Sequence, residues 1–125
     1  MDEKEKLIEN IKWHFSKREL HKLKEDAASA SRLALEDQDD ELLNVAILSY
    51  ALAQMVEKGH FINSSDWMQF SEKIVANLSK VKDKNKLEIV LSLIWDFGEK
   101  HGRFVTNIVD KAKLKVGTQL YAHGA

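Results

Sequence analysis

The chain has neither cysteine nor proline among its 125 residues. Without cysteine it can form no disulfide framework and no thiolate zinc site, and it has no cysteine nucleophile. This composition fits a reducing compartment, and the charged start MDEKEK lacks the apolar segment that a signal peptide needs. We therefore predict a cytoplasmic protein. The absence of proline favours helices throughout, because proline interrupts helical hydrogen bonding.

A long apolar run is also missing. The longest apolar stretch, residues 42–56, is interrupted by Asn44, Ser49 and Gln54, and it is shorter than the roughly 20 residues that cross a bilayer. It predicts a buried helix and no contact with a membrane. The net charge of −1 predicts no general attraction to nucleic acid.

Apolar residues recur at intervals of three and four, which is the spacing of amphipathic helices. Ser16 and Glu19 have the spacing of a capping pair that would begin the second helix, and Gly59 is placed to end the third. The third helix is apolar on nearly every side, which predicts a central position. Helices are predicted over about residues 4–15, 16–37, 40–58, 64–81 and 86–122. The pattern predicts an all-α fold, a compact bundle of five or six helices that forms a single domain over residues 1–125.

In the last helical region, apolar residues recur at steps of four and three without interruption from Leu87 to Ala112, through the segment GEKHG. One helix of roughly 37 residues would satisfy that rhythm. However, Gly98 and Gly102 each cost a helix up to about 1 kcal/mol. We predict a break or kink near Gly98–Gly102, with a single long helix as the alternative.

Signatures of catalysis are absent from the sequence. No serine or threonine lies in the context of a nucleophile elbow, and no glycine-rich phosphate loop or P-loop lysine is present. These absences favour a non-catalytic protein. We assign no catalytic residue and no cofactor.

Two apolar residues do not fit the core faces of their helices. Trp13 falls on the charged side of the first helix, and Leu33 lies off the apolar stripe of the second. Large exposed apolar groups mark contact surfaces, and the rhythm of the last region adds Val105 and Ile108. We predict a partner or homodimer contact at these four residues, in a helical interaction domain that self-associates or docks to a protein partner. The alternative for Trp13 and Leu33 is cover by a neighbouring helix.

Basic residues at the C-terminal end suggest a second function. Arg103, Lys111, Lys113 and Lys115 form a local basic stripe on a nearly neutral chain. A basic amphipathic helix can hold phosphates, which predicts a nucleic-acid-associated module. The alternative is a solvated helix surface.

Histidines suggest a third function, a metal or small-ligand site. Glu57 and His60 lie three residues apart, a spacing that can place two metal ligands on one helix face. His101 lies on the apolar stripe between the two glycines, where it is either a ligand contact or a hydrogen-bonded core histidine. Carboxylate-bridged metal bundles need further E-x-x-H pairs, which this chain lacks.

Residues 110–124, with three lysines before the end YAHGA, resemble a segment of uncharacterised archaeal all-helical proteins. In those proteins the segment leads into a C-terminal helix-turn-helix, which is not part of this sequence. The resemblance implies the N-terminal part of a longer protein, and it carries over no functional residue.

Overall fold

The computed structural model describes residues 3–80, 85–101 and 107–122. These residues form a compact, all-α structure of seven helices, and none of them lies in a strand. The helices are α1 (Glu3–Ser16), α2 (Leu20–Asp37), α3 (Asp40–Glu57), α4 (Gly59–Ile62), α5 (Trp67–Leu78), α6 (Asn85–His101) and α7 (Ile108–Ala122). The all-α prediction is confirmed. The count of five or six helices is too low, because the short α4 forms where a loop was predicted.

Helix α3 lies at the centre of the molecule, as its composition predicted. It contacts α1, α2, α4, α6 and α7. Small buried residues of α2, including Ala27, Ala30 and Ala34, let α2 and α3 approach closely. The hydroxyl of Ser49 then donates a hydrogen bond of 2.7 Å to the carbonyl of Leu23, which ties α3 to α2. None of the helices in the described ranges has the length and apolar character needed to cross a membrane.

The corner between α1 and α2 differs from its prediction. The hydroxyl of Ser16 donates back to the carbonyl of Lys12, inside α1, and therefore does not cap α2. Glu19 is the N-cap of α2 and makes no capping hydrogen bond through its side chain. The chain reverses at Arg18, whose φ of 54° is in the left-handed region. The predicted capping pair is wrong because the first helix already uses the serine.

Gly59 does not end α3. That helix ends at Glu57, because the next residue, Lys58, is extended with φ −99° and ψ 109°. Gly59 begins α4 instead. Helix α5 begins at Trp67, three residues later than the predicted start at residue 64.

The last region forms two helices, since α6 ends at His101 and Asn107 is not helical. Residues 102–106, which include Gly102, lie outside the described ranges. Asn107 joins the two helices: its amide donates to the carbonyl of Trp95 (3.1 Å), and its side-chain oxygen accepts from the backbone N–H of Val109 (2.8 Å). A Cβ on Gly98 would lie 3.1 Å from Cγ2 of Ile108, so this glycine permits the close approach of α7.

Candidate functional site

Five aromatic rings gather at one end of the bundle, where the last turn of α1 meets α4, the start of α5 and the end of α6. The buried rings are Phe15, Phe61, Trp67, Phe70 and Phe97. Phe70 stacks on Phe97 with ring centroids 4.2 Å apart, and Trp67 lies 5.7 Å from Phe15. Because these rings come from four helices, they hold this end of the molecule together.

An open groove runs beside this cluster, between the last turn of α1 and one side of α5. It encloses about 470 Å³. Its lining includes Phe15, Arg18, Trp67, Met68, Glu72 and Val75. Phe15 and Trp67 are buried and form its base, whereas Met68 has 73% of its surface exposed. The groove therefore presents apolar surface to solvent, with one cation and one carboxylate in its lining.

The two serine hydroxyls that line this groove both donate hydrogen bonds to backbone carbonyls. Ser16 donates to the carbonyl of Lys12, and Ser71 donates to the carbonyl of Trp67, each within its own helix. The lining contains no histidine that could act as a base. The apolar part of the lining is suited to contact with apolar groups.

Trp13 lies on the same part of α1 as this groove but is not part of the groove's lining. It lies on the side of α1 opposite the buried stripe, with 54% of its surface exposed. It precedes Ser16, which lines the groove, by three residues, so the two are neighbours on the helix surface. The ammonium groups of Lys12 and Lys17 each lie 5.8 Å from its ring centroid. The described helices leave this indole uncovered.

The other three predicted contacts do not join Trp13. Ile108 is only 2% exposed, because α7 packs against α3 and α6 and buries it in the protein's own core. It is therefore not available to a partner, which corrects the prediction. Leu33 is half-buried and packs against the same core. Val105 lies outside the described residues.

His101 is held by a carboxylate. Its Nε2 lies 3.0 Å from Oδ2 of Asp66, which also accepts a hydrogen bond of 2.7 Å from Lys100. The hydrogen bond from Lys100, followed by the one from His101, holds the pKa of Asp66 below its usual value. The imidazole also lies against Phe97, with ring centroids 4.5 Å apart. His101 is thus the hydrogen-bonded histidine of the alternative prediction, and it ties α6 to α5.

The predicted metal ligands do not assemble. Glu57 is exposed at the end of α3, and the ring of His60 contacts that of Phe61 on α4. Within the ranges that the structure describes, no three histidine, aspartate or glutamate side chains are placed to hold a metal ion. His101, the third predicted ligand, pairs with Asp66 and not with Glu57 or His60.

The lysines of α7 do not form one stripe. Lys111 and Lys115 lie one helical turn apart, whereas Lys113 is two residues from each and therefore points to the other side. Lys113 and Lys115 are exposed, Lys111 is half-buried, and Leu114 between them is 71% exposed. Arg103 lies outside the described residues. This geometry weakens the prediction of a basic phosphate-binding face.

Comparisons with protein-family models, with curated proteins and with solved structures find no match to this chain. The resemblance of residues 110–124 to archaeal helical proteins stays a prediction. The chemistry of the surface is therefore the basis for inferring function.

The sequence contains a signal for the groove that lies outside the core stripe of α5. The core stripe of α5 consists of Trp67, Phe70, Ile74 and Leu78. Met68 falls outside that stripe, and Val75 follows it two turns later on the same side. The sequence therefore indicates a second, narrower apolar side on α5, but it does not indicate that this side pairs with α1.

Proposed function

We propose that this chain is a non-catalytic helical interaction domain that self-associates through its α1–α5 surface, defined as Trp13, Phe15, Trp67, Met68 and Val75. The observation that carries the proposal is the exposure of two large apolar residues, Trp13 on α1 and Met68 in the lining of the open groove between α1 and α5. Large apolar side chains grouped on a surface mark sites of protein contact. Tryptophan in particular is enriched among the residues that dominate binding energy.

Energetic considerations favour a weak rather than a permanent assembly. Full burial of a large apolar side chain contributes about 1.5–3 kcal/mol, and two copies would together bury the exposed parts of two tryptophans and two methionines. Association costs roughly 4–15 kcal/mol in lost freedom of motion. This cost offsets most of the gain, so we expect a weak dimer that forms only at high protein concentration.

Light scattering over a roughly hundredfold range of protein concentration tests the proposal. The variant is Trp13→Glu, and the matched control is Leu114→Glu, which places the same acid at another exposed apolar position, on α7. Circular dichroism confirms that each variant is helical. We expect the wild type and Leu114→Glu to approach the mass of a dimer as concentration rises, while Trp13→Glu stays monomeric. A monomeric wild type at every concentration would refute self-association, and a dimer that tolerates Trp13→Glu would refute the surface.

A further inference from the structure

The α1–α5 surface contains both a projection and a recess. Trp13 stands out from α1, and the groove that Phe15 and Ser16 of the same helix help to line encloses about 470 Å³. That volume is in the range of pockets that take small organic molecules, about 300–1,000 Å³, so it can accept an indole ring. In a twofold dimer the same patch lies on both sides of the interface. The projection on one copy can then fit into the recess on the other, because this surface provides both.

Charges on the same surface are complementary. Lys17 is exposed beside the ring of Trp13, and Glu72 is exposed in the lining of the groove. Lys12, the other cation at Trp13, is already paired with Glu9 at 2.7 Å. Neither Lys17 nor Glu72 forms an ion pair with another described residue. A tryptophan that enters the groove brings a lysine toward this glutamate.

We propose that the partner is a second copy of this chain, arranged reciprocally: Trp13 of each copy occupies the α1–α5 groove of the other, and Lys17 of each faces Glu72 of the other. This arrangement rests on the proposed self-association and specifies its geometry. It requires two equivalent lysine–glutamate contacts for each dimer. Reversal of one charge therefore disturbs both contacts at once.

Charge reversal tests the arrangement, with dimer dissociation constants measured by sedimentation for Lys17→Glu, Glu72→Lys and the double variant. We expect each single reversal to weaken the dimer roughly fivefold or more, because it replaces two attractive contacts by two repulsive ones. The double variant restores opposite charges and should return to within about twofold of the wild type. Lys113→Glu and Glu88→Lys, exposed positions on α7 and α6, are the matched controls and should leave the constant unchanged.

Mixing the two single variants gives a sharper result. In a mixed dimer, the glutamate introduced by Lys17→Glu in one copy would face the lysine introduced by Glu72→Lys in the other. The second contact would join the native Lys17 to the native Glu72, so both contacts become attractive. Random pairing in an equimolar mixture already gives about twice as much mixed dimer as either parent dimer. Native mass spectrometry should therefore show a mixed dimer that clearly exceeds this statistical twofold ratio.

The outcomes separate the two proposals. A statistical distribution of mixed and parent dimers, or single variants that bind as tightly as the wild type, would overturn the reciprocal arrangement. A dimer sensitive to Trp13→Glu would still leave self-association through the α1–α5 surface intact in that case. A wild type that never dimerises refutes both.

Discussion

Asp39 shows how one carboxylate fixes a helix start in this protein. Its Oδ1 accepts hydrogen bonds from the backbone N–H groups of Glu41 (2.8 Å) and Leu42 (3.4 Å), which makes it the N-cap of α3. Its Oδ2 lies 2.8 Å from the ammonium of Lys4, which fastens α1 to the same point. The hydrogen bond from Lys4 is the main reason that the pKa of Asp39 is lowered.

Replacement of Asp39 separates its two roles. We expect Asp39→Ala to lower the free energy of unfolding by about 1–2 kcal/mol, because α3 loses its cap as well as the ion pair. Lys4→Met leaves the cap in place and removes the partly exposed ion pairs of Lys4 with Asp39 and Glu41, each of which should contribute about 0.2–1 kcal/mol. Urea unfolding of both variants measures the difference. A loss below about 0.5 kcal/mol in Asp39→Ala, the lower end of the range for an N-cap, would mean that the cap contributes nothing.

A buried histidine–aspartate pair joins α1 to α2. Asp26 is only 7% exposed, and its Oδ2 lies 2.5 Å from Nδ1 of His14. Burial raises the pKa of Asp26, and the carboxylate of Glu25 adds to this effect, while the hydrogen bond and the charge of His14 oppose it. The charged form of Asp26 is thus disfavoured by its surroundings, and His14 is the group that supports it.

The raised pKa of Asp26 has a defined effect on stability. A carboxyl group whose pKa is higher in the folded state stabilises the fold below its unfolded pKa, near 3.9, and loses that contribution as pH rises through the folded value. We therefore expect the stability of the wild type, relative to Asp26→Asn, to fall as pH rises from about 3 to about 5. His14→Gln removes the group that favours the charged form, so the same comparison in that background should show a larger fall. A difference that rises with pH would contradict the assignment.

Side-chain partners of this kind were not readable from the sequence. The exposure of Trp13 followed from its position opposite Leu7, Ile8, Ile11 and Phe15, since helical spacing alone assigns faces. The pairing of His14 with Asp26, or of His101 with Asp66, depends on how two helices rotate and slide against each other. Periodicity identifies the buried side of a helix but not the residue that it meets.

At the scale of the helix, two glycines behave differently because their surroundings differ. A Cβ on Gly117 would meet nothing within 4 Å, and this glycine is a solvent-exposed residue in the middle of α7. A Cβ on Gly98 would press on Ile108 at 3.1 Å. The first glycine only loosens its helix, whereas the second provides room for the contact between α6 and α7.

These surroundings predict opposite effects on thermal stability. Gly117→Ala should raise the free energy of unfolding by up to about 1 kcal/mol, because alanine favours the helix and nothing obstructs it. Gly98→Val should lower it by about 1–3 kcal/mol, because a branched side chain must displace Ile108. Calorimetry of the two variants gives the comparison. A stabilising Gly98→Val would show that α7 does not pack against this glycine.

The extents of α1 and α3 and the end of α2 could be predicted to within about a residue because each helix is long and strongly periodic, whereas α2 begins at Leu20 and not at residue 16. Their caps could not, since a serine such as Ser16 bonds equally well to the helix behind it. The break between α6 and α7 was predicted from Gly98 and Gly102, but its capping residue, Asn107, was missed. The apolar spacing continues across the break because both helices bury their apolar sides in one core. The spacing therefore does not indicate where one helix ends and the next begins.

For the whole molecule, the helical class and the central position of α3 could be predicted from the sequence, but the arrangement around α3 could not. The α1–α5 groove joins helices that lie far apart along the chain. It exists because the aromatic cluster brings Phe15 against Trp67. Apolar spacing on each helix gives no information about such long-range pairing, and so the recess beside Trp13 became visible only in the folded structure.

Self-association through the α1–α5 surface is tested most directly by hydroxyl-radical footprinting at low and high protein concentration. Trp13 and Met68 are exposed and carry reactive side chains, and Trp95 on α6 is an exposed internal control. We predict that oxidation of Trp13 and Met68 decreases together as concentration rises, because each copy covers the other, while oxidation of Trp95 does not change. Oxidation of Trp13 and Met68 that does not change with protein concentration, or protection confined to Trp95, would contradict the proposed assembly.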